Sequence, residues 1–250
     1  MWLSITIRSL GVSLVTLGIS GAAIAQEAPP RPELPPQPPA PLFLREAWKL
    51  NPGENAANEK ALTNPNLELK FYDPLAQNIP AYEKNPPADS RAADWHGPSC
   101  IQLAQLGPNP IELWTGVCQG PVVVTLRDKN NYVDLTGLAK IRWTTRVSGF
   151  HAMRPVIKLA DGTWLVGDHT SGDDSTNSTM FLDSEFALAT VRWLKLDIAR
   201  VATRGFWVER PDLSKVDEIG FTDLMRGSGH GWGGFVGLGP IEVYGKPVKR

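Results

Sequence analysis

The sequence predicts an all-β sandwich of jelly-roll type. Three observations carry this. Beyond residue 110 the apolar residues fall in short runs, many with period two, separated by turn residues. No ten-residue stretch with helical periodicity follows residue 63. Two apolar runs, PVIKLA and TWLV, flank Asp161-Gly162, the dipeptide that best signals a tight hairpin. Short strands at regular spacing with intervening turns define a sandwich or a barrel. At 42% hydrophobic and 20% charged residues, the 250-residue chain has the balance of a globular protein.

Taken in order, the chain divides into three parts. Residues 1–25 read as an export signal: Arg8 supplies the positive charge, Leu10 to Ala23 an uncharged apolar run, and Ala23-Ile24-Ala25 a small-x-small cleavage pattern. The run is too short for a comfortable membrane span, so a periplasmic or secreted mature chain starting at Gln26 is expected. Residues 26–42 hold eight prolines and read as an extended linker. Residues 43–250 form the sandwich domain.

Within that domain, Leu44 to Leu50 is a strand or a helical turn, and Glu54 to Leu62 has the helix formers of a short helix. Asn66 to Tyr72 alternates Leu67, Leu69 and Phe71 with polar residues, as a strand with one apolar face does. Residues 73–99 are rich in Pro, Asn and Asp and read as loop. Ile111 to Trp114 and the β-branched run Val122 to Leu126 are strands. In Lys140 to Val147, Ile141, Trp143, Thr145 and Val147 face one way, and Lys140, Arg142, Thr144 and Arg146 the other. Val191 to Ile198, Val216 to Phe221 and Ile241 to Tyr244 complete the set. Cys100 and Cys118, the only cysteines, read as a disulfide in an exported chain.

The stretch from Asp134 to Gly245 resembles the galactose-binding-like jelly roll of secreted carbohydrate-binding modules. The resemblance rests on Val133-Asp134-Leu135-Thr136-Gly137 leading to Ile141-Arg142-Trp143, on Trp193-Leu194-Lys195-Leu196-Asp197-Ile198, on Asp212-Leu213-Ser214-Lys215-Val216 leading to Ile219-Gly220-Phe221, and on the closing Ile241-Glu242-Val243-Tyr244-Gly245. It implies a fold and, by fold-level analogy, a sugar-binding habit.

Charge excludes one class of partner. With 25 basic and 26 acidic residues, the chain has no overall basic excess for neutralising phosphates, and nucleic acid is not an expected partner. A glycan or another small polar ligand is. Eight of nine tryptophans follow the signal segment. Trp143, Trp164 and Trp193 sit in strand patterns and are assigned to core, whereas Trp95, Trp114 and Trp232 lie at or beside loops, where exposed rings serve binding. His96 and His230 each neighbour a loop tryptophan, so the candidate ligand-binding set is Trp95, His96, Trp114, His230 and Trp232. The alternative for the histidines is a solvent-exposed or capping role.

No cofactor is expected. Gly229 to Gly234 fits G-x-G-x-x-G but opens no helix, and it reads as a glycine-rich loop. Asp168, Asp173 and Asp174 offer oxygen ligands of the kind Ca²⁺ takes, yet their order departs from the usual calcium loop, and a plain hydrophilic loop accounts for them. No G-x-S-x-G elbow is present, no metal-ligand spacing links the histidines, and no carboxylate pair stands out. The expected protein is an exported, non-catalytic carbohydrate binder. A glycan-active hydrolase or lyase on the same scaffold, and an envelope structural or interaction protein, are the alternatives.

Overall fold

The computed structural model describes residues 38–52, 56–74, 100–118, 120–171, 180–225 and 234–250. The strands begin with β1 (Leu42–Glu46), β2 (Leu67–Tyr72), β3 (Gln102–Ala104) and β4 (Glu112–Trp114). Next come β5 (Val122–Asp128), β6 (Asn131–Asp134), β7 (Lys140–Ser148), β8 (Met153–Leu159) and β9 (Trp164–Gly167). The last are β10 (Leu182–Ala187), β11 (Trp193–Asp197), β12 (Ala202–Val208), β13 (Val216–Asp223), β14 (Phe235–Tyr244) and β15 (Lys246–Lys249). They form the jelly-roll β-sandwich that the sequence predicts. One sheet of six strands runs β10-β7-β14-β4-β3, with β1 also on β14. The other, of nine, runs β12-β11-β9-β8-β13-β5-β2, with β6 joining β13 to β15. All pairings are antiparallel.

The core lies between the sheets. Ile141, Trp143, Leu238 and Val243 from one meet Val124, Ile157, Leu165, Ile219 and Phe221 from the other. Trp143 is 1% exposed, and its indole N–H donates to Ser171 Oγ at 2.6 Å. Trp164 and Trp193 are also buried, as their strand positions imply. The nine-stranded sheet is apolar on its second face as well, where Val123, Val156, Trp164, Val166, Leu196 and Val201 cluster. Two covered faces explain why VVVTL, PVIKLA and TWLV read as runs and not as alternations. Between the last two, Gly162 takes φ +88°, and Asp161 Oδ1 accepts from the Thr163 N–H at 2.8 Å, closing the β8–β9 hairpin.

Three sequence expectations change. Of the helix over Glu54 to Leu62, residues 54 and 55 lie outside the described residues, and the rest holds a single 3-10 turn, Glu59–Ala61. Asn58 caps it from extended backbone, and Leu62 is extended again, leaving room for one turn only. A second such turn, Leu188–Thr190, lies far from the N-terminus. Arg146, expected on the solvent side of β7, is buried: its guanidinium bonds the equally buried Glu112 carboxylate and lies over the Phe235 ring at 4.6 Å.

Cys100 and Cys118 are joined, stapling the approach to β3 to the chain beyond β4. A second lock holds β1. The buried Glu46 carboxylate accepts from the Ala47 and Trp48 N–H groups, both at 2.9 Å. It also accepts from Thr63 N–H at 2.8 Å, Thr63 Oγ1 at 2.6 Å and Asn64 N–H at 3.0 Å. Five donors on one carboxylate make its burial tolerable.

Candidate functional site

An open, ligand-sized groove lies where the nine-stranded sheet ends. There β12 pairs with β11, but the register jumps from Leu194–Trp207 to Lys195–Arg204. Gly205 and Phe206 are therefore extra, and the strand bulges outward at them. Gly205 supplies the φ of +73° that the bulge requires. The bulge leaves Phe206 93% exposed and Trp207 42% exposed, side by side.

The surroundings of Trp207 are polar and ordered. The Arg192 guanidinium lies over its ring, 4.5 Å from the centroid. Asp168 fixes that guanidinium, with Arg192 Nε 2.7 Å from Oδ2 and the Arg192 N–H 2.8 Å from Oδ1. Partial burial pulls the Asp168 carboxyl upward, but these bonds outweigh it and hold it below its ordinary value. An open groove of about 640 Å³ adjoins the ring, with Trp193, Val191 and Leu213 among its apolar walls and Arg192, Glu209 and Arg210 among its polar ones. Apolar walls with a few convergent polar groups are what a small-ligand site needs.

Trp207 also begins a row along the outer face of the sheet. Residues opposite one another in a ladder share a face. Through successive pairings Trp207, Leu194, Val166, Val156, Gly220, Thr125 and Lys70 line up from one edge to the other. Near the far edge Glu218 is buried and accepts from Thr125 Oγ1 at 2.7 Å, Tyr72 Oη at 2.8 Å, Lys158 Nζ at 3.0 Å and Lys70 Nζ at 3.3 Å. A register shift between Val216 and Glu218 brings Asp217 within 3.5 Å of Lys158 too. Burial pushes the Glu218 carboxyl up, but its hydrogen bonds outweigh this and hold it below the carboxylate range. Burial, then the Glu218 charge, raise the Tyr72 phenol. The hydrogen bonds to Glu218 make the network a clamp across β2, β5, β8 and β13.

Of the five residues proposed from the sequence, Trp95, His96, His230 and Trp232 lie outside the described residues. Trp114 ends β4 and is 4% exposed, packed on Phe235 at 5.9 Å between centroids. Asp173 and Asp174 also lie outside, while Asp168 is engaged by Arg192 as above. Among the described residues no group of three or more His, Cys, Asp or Glu is placed to hold a metal ion, and no helix is long and apolar enough to cross a membrane. Sequence reasoning passed over Trp207. The signal was there: in Arg204-Gly205-Phe206-Trp207 two adjacent aromatics follow a glycine, and neighbours on a strand cannot both face one core.

The arrangement is that of a β-sandwich with an aromatic surface at one sheet edge. No protein-family model and no curated protein matches the chain. Among solved structures, the chain is similar to a family 11 carbohydrate-binding module of the cellulosomal cellulase Lic26A-Cel5E of Clostridium thermocellum. That match has 14% identity and a TM-score of 0.38, over 58% of this chain and 81% of the module. The family 11 module of the same organism in complex with a β-1,3-1,4-mixed-linked tetrasaccharide matches at 12% identity and a TM-score of 0.38, over 79% and 97%. An exo-β-agarase matches at 11% identity and a TM-score of 0.32, over 60% of this chain and 22% of the enzyme.

Proposed function

We propose that the chain is an exported, non-catalytic carbohydrate-binding protein, and that Phe206 and Trp207 form its binding platform. One observation carries this reading: a bulge in an edge strand turns two adjacent aromatic rings outward beside an open groove. Sugar rings present flat C–H faces, which stack on aromatic faces, while their hydroxyls take hydrogen bonds from groups such as Arg192, Glu209 and Arg210. Among the described residues Glu209 is the one carboxylate in the groove wall, whereas glycoside cleavage uses two. Export is supported by the signal-like N-terminus and by the Cys100–Cys118 disulfide, which suits an oxidising compartment.

Affinity electrophoresis against a panel of soluble polysaccharides tests the reading. The full chain is expected to be retarded by at least one, with no release of reducing ends, and Trp207→Ala is expected to weaken that binding by about 1–3 kcal/mol. Binding that survives Trp207→Ala but is lost in Trp95→Ala or Trp232→Ala moves the site to the loops named from the sequence. Release of reducing ends overturns the non-catalytic assignment.

A further inference from the structure

We infer that the groove beside Trp207 takes the acetamido group of an N-acetylated sugar; this rests on the glycan-binding reading above and names the class of sugar. The first observation is a donor left without an acceptor. Trp193 is 2% exposed and lines the groove. Its indole Nε1–H is buried and has no hydrogen-bond partner among the described residues. A buried indole N–H is ordinarily bonded. Two others in this protein are: Trp48 donates to the Gly239 carbonyl at 2.8 Å, and Trp143 to Ser171 Oγ at 2.6 Å. On Trp193 it is Cζ3, across the indole from Nε1, that meets the β9 side, since a Cβ placed at Gly167 would stand 3.4 Å from it. β11 has β9 on one side and β12 on the other, and the groove runs on the β12 side, along Trp207 and Val208.

What surrounds the donor selects the group that answers it. Leu188, Val191 and Leu213 are buried and give the groove an apolar floor. A charged group would lose its water there without compensation. An acetyl group suits this floor, with its methyl against the aliphatic side chains and its carbonyl oxygen accepting from the Trp193 N–H. Glu209 is exposed on the rim, and a carboxylate accepts hydrogen bonds without donating any. It therefore suits an amide N–H. An acetamido group carries the methyl, the acceptor and the N–H together; an ester acetyl lacks the N–H, and a bare hydroxyl lacks the methyl. The rim is also held in a costly conformation. Arg210 takes φ +47° directly before Pro211, where a side chain favours extended backbone. Outliers of this kind gather at ligand sites. A pyranose ring on Trp207 with its acetamido group in the groove uses both halves of the site.

The test titrates the full chain with two pairs of sugars that differ only at C2: tetra-N-acetylchitotetraose against cellotetraose, and N-acetylgalactosamine against galactose. In at least one pair the acetamido sugar is expected to bind about tenfold tighter than its hydroxyl counterpart, the worth of one or two hydrogen bonds. Trp193→Phe removes the N–H and keeps an aromatic ring, and Glu209→Ala removes the acceptor on the rim. Each is expected to cut that preference about fivefold, while Glu209→Gln, which still accepts, retains most of it. Thermal melting checks that each variant is folded, and the two Glu209 variants decide if Trp193→Phe is not. Equal binding within both pairs overturns the inference and leaves glycan binding standing. So does a preference that Trp193→Phe and Glu209→Ala both leave unchanged, or Trp207-dependent binding confined to acetyl-free polysaccharides of the wider panel. Absence of Trp207-dependent binding to every sugar in this set and in that panel overturns both readings.

Discussion

Two tryptophans, one in each sheet, stand in opposite surroundings. Trp143 is enclosed and donates to Ser171, so Trp143→Ala leaves a cavity and removes that hydrogen bond; it is expected to cost about 3–5 kcal/mol in chemical denaturation. Trp207 stands on the surface, and Trp207→Ala is expected to cost less than about 1 kcal/mol in the same measurement. Glu218 gives a residue-scale pH dependence. Its carboxyl is held below the 4.5 of an unperturbed glutamate, so its contribution is complete above that value and is lost as pH falls through the lower folded value. Burial raises the Glu112 carboxyl, which acts in the opposite sense, so the comparison is made between the native chain and Glu218→Gln. The variant is expected to be about 2–3 kcal/mol less stable at pH 7 and to lose less than the native chain between pH 5 and pH 3, read from denaturation midpoints. Neither the burial of Glu218 nor that of Arg146 was legible in the sequence. A period-two pattern shows which residues share a face, but not whether another element later covers that face.

At the scale of the element, legibility followed the strength of the local signal. β7, β2 and the β8–β9 hairpin were plain because alternation or an Asp-Gly turn is a property of a few adjacent residues. β12 was missed: its side chains are almost all exposed and Gly205 breaks its pattern, so it carries no apolar periodicity to read. Tertiary pairing with β11 alone makes it a strand, and it is there that the proposed site lies. The pairing of Cys100 with Cys118 was legible from count and spacing. Replacing both by serine is expected to lower stability by about 3 kcal/mol in denaturant titrations, since the closed loop no longer restrains the unfolded chain. Labelling of two free thiols in denatured, unreduced, exported protein would instead show that the bond does not form.

For the whole molecule, composition and turn spacing were enough to predict a sandwich, because two packed sheets are what short amphipathic strands build. They could not place a ligand surface, which depends on what the ends of each sheet leave uncovered. A chain of residues 38–250 is expected to melt within about 5 °C of one of residues 26–250, since proline-rich segments make few tertiary contacts. The junction that follows has a mechanical consequence. β1 lies antiparallel along β14, from Leu42 opposite Tyr244 to Glu46 opposite Ile241, and Glu46 pins its far end to Thr63 and Asn64. A pull on the chain ahead of Leu42 that is applied along β1 loads those hydrogen bonds in shear, all together, and not one at a time as in a zipper. If the chain holds a polysaccharide while its leading segment is fastened elsewhere, β1 is the strand through which the tension passes, and Glu46 is its cleat. Single-molecule pulling from residue 38 is expected to show a high rupture force that Glu46→Ala reduces.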